Sequence, residues 1–470
     1  MNNILIKKLQ DLIRRPHLCD FPYYWDDNPI QKFRVYSFFQ ESSHTYLPDV
    51  IEKRFKFISK LNSVIKFKRT KFFSDKCKPV ATITSTYSTQ FNDSLEVIKS
   101  LKIDNGDSNK LNTLLIYVDG LSPCLLYGNE KVGAVMKRTH DKFKSGYIHE
   151  KYYSTAEWTL PNLASMFLGE LPSQHGLTNS ESNYKTPFVI PRSQNIFQYL
   201  LRFGVSSSIF SSVPYMNPNF GFHLGTDNFF YHKNLCAKKL LPVFSSFIKN
   251  RDNSLNKSHL DCVFLMDVHH KLDGNMAKWI PLYDQFVESV SQSTRLTEFD
   301  TKKLIARAVE LDEYLNTFLD NEVLEFYDNI ILVSDHGSAR LRENQELCVD
   351  DARTLATFCL LSKCGTTIDK TKILSLASLP SILSRAFKLP IFPSLWSEED
   401  DVIFTQAIFA KLPYRLRIRT QEKYFDFVGE NFWTDHGAFK SELNEFLYHV
   451  SSVLDGSKCV DYFKDNNLIL

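Results

Sequence analysis

Short, continuous apolar runs alternate with helix-spaced apolar positions from about residue 111 onward. That pattern predicts strands buried on both faces of a largely parallel sheet. The runs are Leu114-Leu115-Ile116-Tyr117-Val118, Val205 to Phe210, Cys262-Val263-Phe264-Leu265-Met266 and Ile330-Ile331-Leu332-Val333. Between them, Ile196 to Phe203 reads as a short helix closed by Gly204, and Thr159 to Leu168 as a helix with Pro161 in its first turn and Gly169 at its end. Between Thr301 and Leu324, apolar residues at Leu304, Ala308, Leu311, Leu315 and Phe318 predict one amphipathic helix. Near the C-terminus, Tyr414 to Arg419 and Lys423 to Phe427 alternate basic or polar with apolar residues and read as strands with one face exposed.

The polar break Asp104-Asn105-Gly106-Asp107-Ser108-Asn109 separates this pattern from a basic, aromatic N-terminal stretch in which strand and helix signals do not alternate. Three regions follow: residues 1–109 as an extension packed on the core, 110–399 as the core itself, and 400–470 as a smaller C-terminal subdomain. No internal repeat or low-complexity tract interrupts them.

Composition narrows the class. In 470 residues, 43% are hydrophobic and 14% aromatic, enough for a dense core and too much for disorder. The 56 Lys and Arg against 54 Asp and Glu leave a formal charge of +2, so no global field points to nucleic acid or an anionic membrane. The longest apolar stretch, Ile373 to Phe387, is broken by serines, Pro380 and Arg385, and no transmembrane segment is expected. The first residues lack the apolar centre and cleavage site of a signal peptide. The nine cysteines show neither CxxC pairs nor zinc-finger spacing, so reduced thiols and a cytoplasmic location are expected.

Chemistry gathers where the apolar runs end. In open α/β sheets the ligand crevice lies outside the carboxyl ends of the strands. There the chain places Asp119-Gly120, Asp267-Val268-His269-His270 and Ser334-Asp335-His336-Gly337. A single Asp after a strand is ordinarily a cap or turn residue. Acid and imidazole delivered by three strands, without thiolates, suit zinc or manganese, or a harder cation such as calcium where oxygens dominate. Thr159 sits at or just before a helix N-terminus, where a hydroxyl by default caps the helix. Beside a cation it becomes a nucleophile, with the helix dipole favouring an anion.

These residues resemble the alkaline phosphatase superfamily, in its sulfatase-like and nucleotide pyrophosphatase/phosphodiesterase branches. The matching pieces are Tyr117-Val118-Asp119-Gly120, Thr159-Leu160-Pro161-Asn162 through Leu171-Pro172-Ser173-Gln174-His175-Gly176, Gly225-Thr226-Asp227-Asn228-Phe229 and Val333-Ser334-Asp335-His336-Gly337. The resemblance implies an α/β fold: an alkaline-phosphatase-like core with a largely parallel central sheet flanked by helices, plus a small C-terminal α+β subdomain. It places one divalent metal on Asp119, Asp335 and His336, with Thr159 as nucleophile and further ligand. A second ion would use Asp267, His269 or His270, and His436, the last within Asp435-His436-Gly437. Asp267-Val268-His269 also matches a substrate-contacting pattern, and Asn179 resembles an asparagine that binds the transferred phosphoryl group.

The implied activity is metal-dependent hydrolysis or transfer of phosphoric esters, phosphodiester or phosphomonoester, with a small anionic ester as substrate and one or two metal ions as cofactor. A sulfuric ester hydrolase is the alternative on the same frame. Thr159-Leu160-Pro161-Asn162-Leu163 lacks both the cysteine or serine that sulfatases convert to formylglycine and the arginine that follows it. A non-catalytic binding protein is the third reading, opposed by the joint presence of Asp119, Thr159, Asp335 and His336. The basic N-terminal stretch carries no recognisable nucleic-acid module.

Overall fold

The computed structural model describes residues 110–394 apart from 129–131, 176, 178–193, 217–221, 233–234, 251–256, 270–280 and 340–348, together with 403–407, 415–421, 424–428, 431–434 and four short strands before residue 110. It is a mixed α/β protein with a mostly parallel central sheet flanked by helices. The chain divides into two compact units: residues 1–117, 182–266 and 318–330, and residues 118–181, 267–317 and 331–470.

In the first unit the strands Asn112–Val118, His259–Leu265, Ser206–Ser211 and Asn228–Tyr231 lie in that order, and the last three pair parallel. All seven residues of His259–Leu265 are buried, and the apolar run that begins at Cys262 forms the second half of the strand. Phe210 packs its ring 4.9 Å from those of Phe244 and Phe247 and stacks 5.2 Å from Phe230. The helix Ile196–Arg202 begins at Asn195, whose side chain accepts from the Gln198 amide while Gln198 reaches back to the Asn195 amide. Gly225, at φ +88°, passes so close to this helix start that a Cβ would lie 2.3 Å from the Gln198 nitrogen. Asp227, two residues on, accepts from the Ser206 hydroxyl. The Gly-Thr-Asp-Asn-Phe motif thus joins a helix start to a sheet edge.

In the second unit Phe358–Ser362 pairs antiparallel with Tyr147–Ile148 and neighbours the strand that ends at Val333. A small sheet orders Leu355–Ala356, Tyr152–Tyr153 and Leu374–Ser375. Ile403–Ala407, Arg415–Arg419, Tyr424–Val428 and Asn431–Thr434 form an antiparallel sheet. No helix among the described residues is long and apolar enough to cross a membrane.

Two expectations change. The helix expected over 301–324 is two helices, Glu298–Phe318 and Asn321–Phe326, because the Asp320 side chain accepts from the Val323 amide and caps a new start. On the 415–419 strand, Arg417 and Arg419 are not solvated: they are 7% and 4% exposed. Arg419 donates to Asp351 (2.7 Å), to the Val349 carbonyl (2.8 Å) and to the Thr354 hydroxyl (2.8 Å), and its guanidinium lies over Tyr153. Buried charge is tolerated there because every approach meets an acceptor or a ring face.

His149, at the end of the Tyr147–Ile148 strand, is 2% exposed and accepts the Lys151 amide on Nδ1. Burial pushes its pKa down to about 4, against hydrogen bonds that raise it. The folded state therefore refuses a proton that the unfolded chain takes up below its ordinary value near 6.5. Stability is expected to fall as pH drops from about 6.5 towards 4, and His149→Asn to flatten that loss in urea titrations across the window. An unchanged pH slope in the variant would assign the loss to other groups.

Candidate active site

The site is built within the second unit, starting from Asp119 immediately after the strand Asn112–Val118. Gly120 turns the chain at φ +70°, a conformation that strains any residue with a Cβ, and its amide donates to Asp335 Oδ1 at 3.1 Å. Hydroxyls stitch the two loops together. Ser334 donates to the Leu121 carbonyl (2.8 Å), Ser338 Oγ to the Gly120 carbonyl (2.8 Å), and the Ser338 amide to Ser122 Oγ (2.7 Å). Asp119 and Asp335 are held side by side by this network, at 1% and 0% exposure.

The third element is the helix Thr159–Leu168, buried at all ten residues and closed by Gly169 at φ +64°. Asn162 fixes its entry by accepting from the amides of Thr155 and Ala156 and donating to the Ala156 carbonyl. The N-cap is Trp158, in extended conformation, and it makes no side-chain cap bond. Thr159 is the first helical residue, and its hydroxyl does not cap. It points instead to His336 Nε2 (3.3 Å) and to the two Asp119 oxygens (3.4 and 3.5 Å).

His336, 1% exposed, has Nδ1 2.9 Å from the Gly337 carbonyl, which can only accept. Nδ1 therefore carries the proton, and the Nε2 lone pair faces inward, as metal-ligating histidines require. Nε2 lies 3.2 Å from Asp335 Oδ2 and 3.8 Å from Asp119 Oδ1. Asp119, Asp335 and His336 offer ligand atoms within 4.8 Å of one another. Two buried carboxylates so close repel unless a cation lies between them, and carboxylate, imidazole and hydroxyl donors without thiolate suit a divalent ion. The donor set fits the implied metal.

With that geometry in place, comparison of the whole chain becomes informative. No family model matches it, and no curated protein does. Solved structures do. A phosphonate monoester hydrolase from Silicibacter pomeroyi aligns with a TM-score of 0.51 at 12% identity over 74% of this chain and 96% of its own. A 2-O glycosaminoglycan sulfatase aligns with a TM-score of 0.53 at 13% identity over 76% and 93%. A protein solved with its substrate D-glucosamine-2-N,6-O-disulfate aligns with a TM-score of 0.50 at 12% identity over 76% and 99%. The fold is that of the sulfatase-like members of the alkaline phosphatase superfamily.

On this sulfatase-like fold the expected residues divide. Asp119, Thr159, Asp335 and His336 meet in one cluster. His269 stands at its open side, with 11% of its side chain exposed and Nε2 3.9 Å from Asp119 Oδ1. Asp267 is half-buried and does not belong to the three-ligand group. Asn179, His270 and His436 lie outside the described residues.

One residue of the site was not anticipated. Arg353, 4% exposed, donates to the carbonyls of Glu157 (2.6 Å), Ala339 (2.7 Å) and Gly337 (3.2 Å), and its Nη2 lies 3.2 Å from His336 Nε2. It ties the approach to the Thr159–Leu168 helix to the Asp335-His336-Gly337 loop. Nothing local marks Arg353, because its partners are carbonyls up to 196 positions away. A cavity of about 20 Å³, room for a water or a small ion, opens beside Gly120, His269, His336 and Arg353.

Proposed function

We propose that this chain is a metal-dependent enzyme that transfers the phosphoryl group of a phosphodiester or phosphomonoester to water or to a second alcohol through Thr159. The observation that carries this reading is the direction of the Thr159 hydroxyl, turned away from the helix it begins and onto Asp119 and His336. A divalent cation held by Asp119, Asp335 and His336 would supply Lewis acidity, neutralising ester charge and lowering the pKa of an adjacent hydroxyl.

The chain's own groups supply the rest. Asp119 Oδ2, 3.4 Å from the Thr159 hydroxyl, is the acceptor within reach of its proton, since the one lone pair of His336 would be taken by the cation. The Thr159 oxygen bonds to phosphorus as the bond to the leaving oxygen breaks, and the departing alkoxide gains the proton that Thr159 gives up. The positive end of the Thr159–Leu168 helix favours the anion so formed. Attack by water then releases phosphate from a monoester or a phosphomonoester from a diester, attack by an alcohol releases a new ester, and either restores the hydroxyl. Arg353 holds the backbone on both sides of this centre. Asp267 with His270 and His436 would serve a second cation.

The fold is compatible with both phosphoric and sulfuric esters, and the threonine favours phosphorus. The test is turnover of bis(p-nitrophenyl) phosphate, p-nitrophenyl phosphate and p-nitrophenyl sulfate, each with and without chelator. At least one phosphoric ester is expected to exceed the sulfate by about 100-fold or more in kcat/KM, with chelation abolishing the difference. Faster turnover of the sulfate would sink the proposal.

A further inference from the structure

We infer that Phe299, Lys303 and Arg307 form a recognition wall for a second anionic group on the substrate, a carboxylate or phosphate carried on the organic arm of the ester. The inference rests on the phosphoric-ester reading above and names the substrate class. The three residues recur every four positions in the helix Glu298–Phe318, which places them along one stripe. Lys303 and Arg307 line the same cavity as Gly120, His269 and His336.

The stripe runs from solvent to the reacting centre. Phe299 is 62% exposed. Lys303 Nζ lies 4.0 Å over the centre of that ring. Arg307 Nη1 donates to the His269 carbonyl at 2.8 Å, which anchors the guanidinium beside the imidazole that faces Asp119.

The charges of this helix differ in their partners. Lys302 is paired with Glu298 at 2.7 Å and faces Asp284 at 3.9 Å, so its charge is spent on the surface. No carboxylate among the described residues pairs with Lys303. Asp300, the acid of the cavity lining, exchanges hydrogen bonds with Thr297, receiving its hydroxyl at 2.7 Å and donating its own amide to Thr297 Oγ1 at 3.2 Å. Arg353 is engaged with three carbonyls and His336, so it serves the framework of the site. Recognition of a further anion falls to Lys303 and Arg307, with Phe299 offering an apolar surface to the arm that carries it.

The test uses three p-nitrophenyl phosphodiesters whose second arm is ethyl, carboxyethyl or phosphoethyl. In the parent protein at least one charged arm is expected to raise kcat/KM about tenfold over ethyl, mainly through KM, as one charge-assisted contact allows. Lys303→Gln brings the ratio close to one, and Lys303→Glu inverts it. The better of the two charged arms identifies the anion. Equal kcat/KM for all three esters in the parent overturns the inference and leaves the proposed function standing. Calorimetric binding of the same esters to the Thr159→Ala protein separates the two claims without turnover. Preference for a charged arm there, lost with Lys303→Gln, in a chain whose parent form turns over none of the esters, would retain the wall and sink phosphoryl transfer. Equal binding of all three would overturn the wall.

Discussion

Replacing Thr159 with alanine is expected to lower kcat/KM for phosphoric esters on the order of 10³- to 10⁵-fold, the range seen when a nucleophile is removed and the surrounding binding groups remain. The effect separates chemistry from folding. A threonine that capped the helix would lose about 1 kcal/mol of stability on truncation. Here Trp158 is the N-cap residue and Thr159 Oγ1 makes no cap bond, so denaturant midpoints should move little. The alanine protein should also keep its cation, since Asp119, Asp335 and His336 remain. Thr159→Ser, which restores a hydroxyl at the same Cβ, is expected to recover most of the rate. Full activity in the alanine variant, with a chelator-sensitive rate, would remove Thr159 from the mechanism.

The second large effect concerns the metal. Asp335→Ala/His336→Ala removes two of the three groups that would hold a divalent cation and should abolish its retention. Plasma mass spectrometry on protein purified without a metal-binding tag should find about one equivalent in the parent chain and a small fraction of that in the double variant, on the usual stoichiometry of a three-ligand site. Bound metal also stabilises the folded state by mass action, so chelation should lower the parent's melting temperature and leave the double variant's unchanged. Two equivalents in the parent would bring in Asp267 and its partner histidines. A parent chain that holds no metal and takes up none of zinc, manganese or calcium would favour a non-catalytic binding protein.

Much of the core was legible because burial on both faces writes itself into sequence as uninterrupted apolar runs. Leu114 to Val118 and Ile330 to Val333 appear where expected, each followed by the acid that reaches the site. The limits of the helix Thr159–Leu168 were legible from Pro161 in its first turn and Gly169 at its end. The direction of the Thr159 hydroxyl was not. It depends on Asp119 and His336, 40 and 177 positions away, while local sequence favours a cap. The break at Asp320 was missed for the opposite reason: a strong apolar period hid a cap that splits the helix.

Charged residues were read least well. Arg417 and Arg419 read as part of an exposed strand face and are buried, and Arg353 gave no signal, because their partners are carbonyls, an aspartate and aromatic faces supplied by distant segments. The sequence by itself determined the strands, the helix that carries Thr159 and the residue types of a cation site, because periodicity, breakers and strand-end acids are local consequences of burial and backbone geometry. Only the tertiary structure decided that Thr159, Asp119, Asp335 and His336 share one centre, that Arg353 braces it and that Lys303 and Arg307 line the cavity beside it. Those outcomes are distances between segments far apart in the chain, and no local preference encodes them.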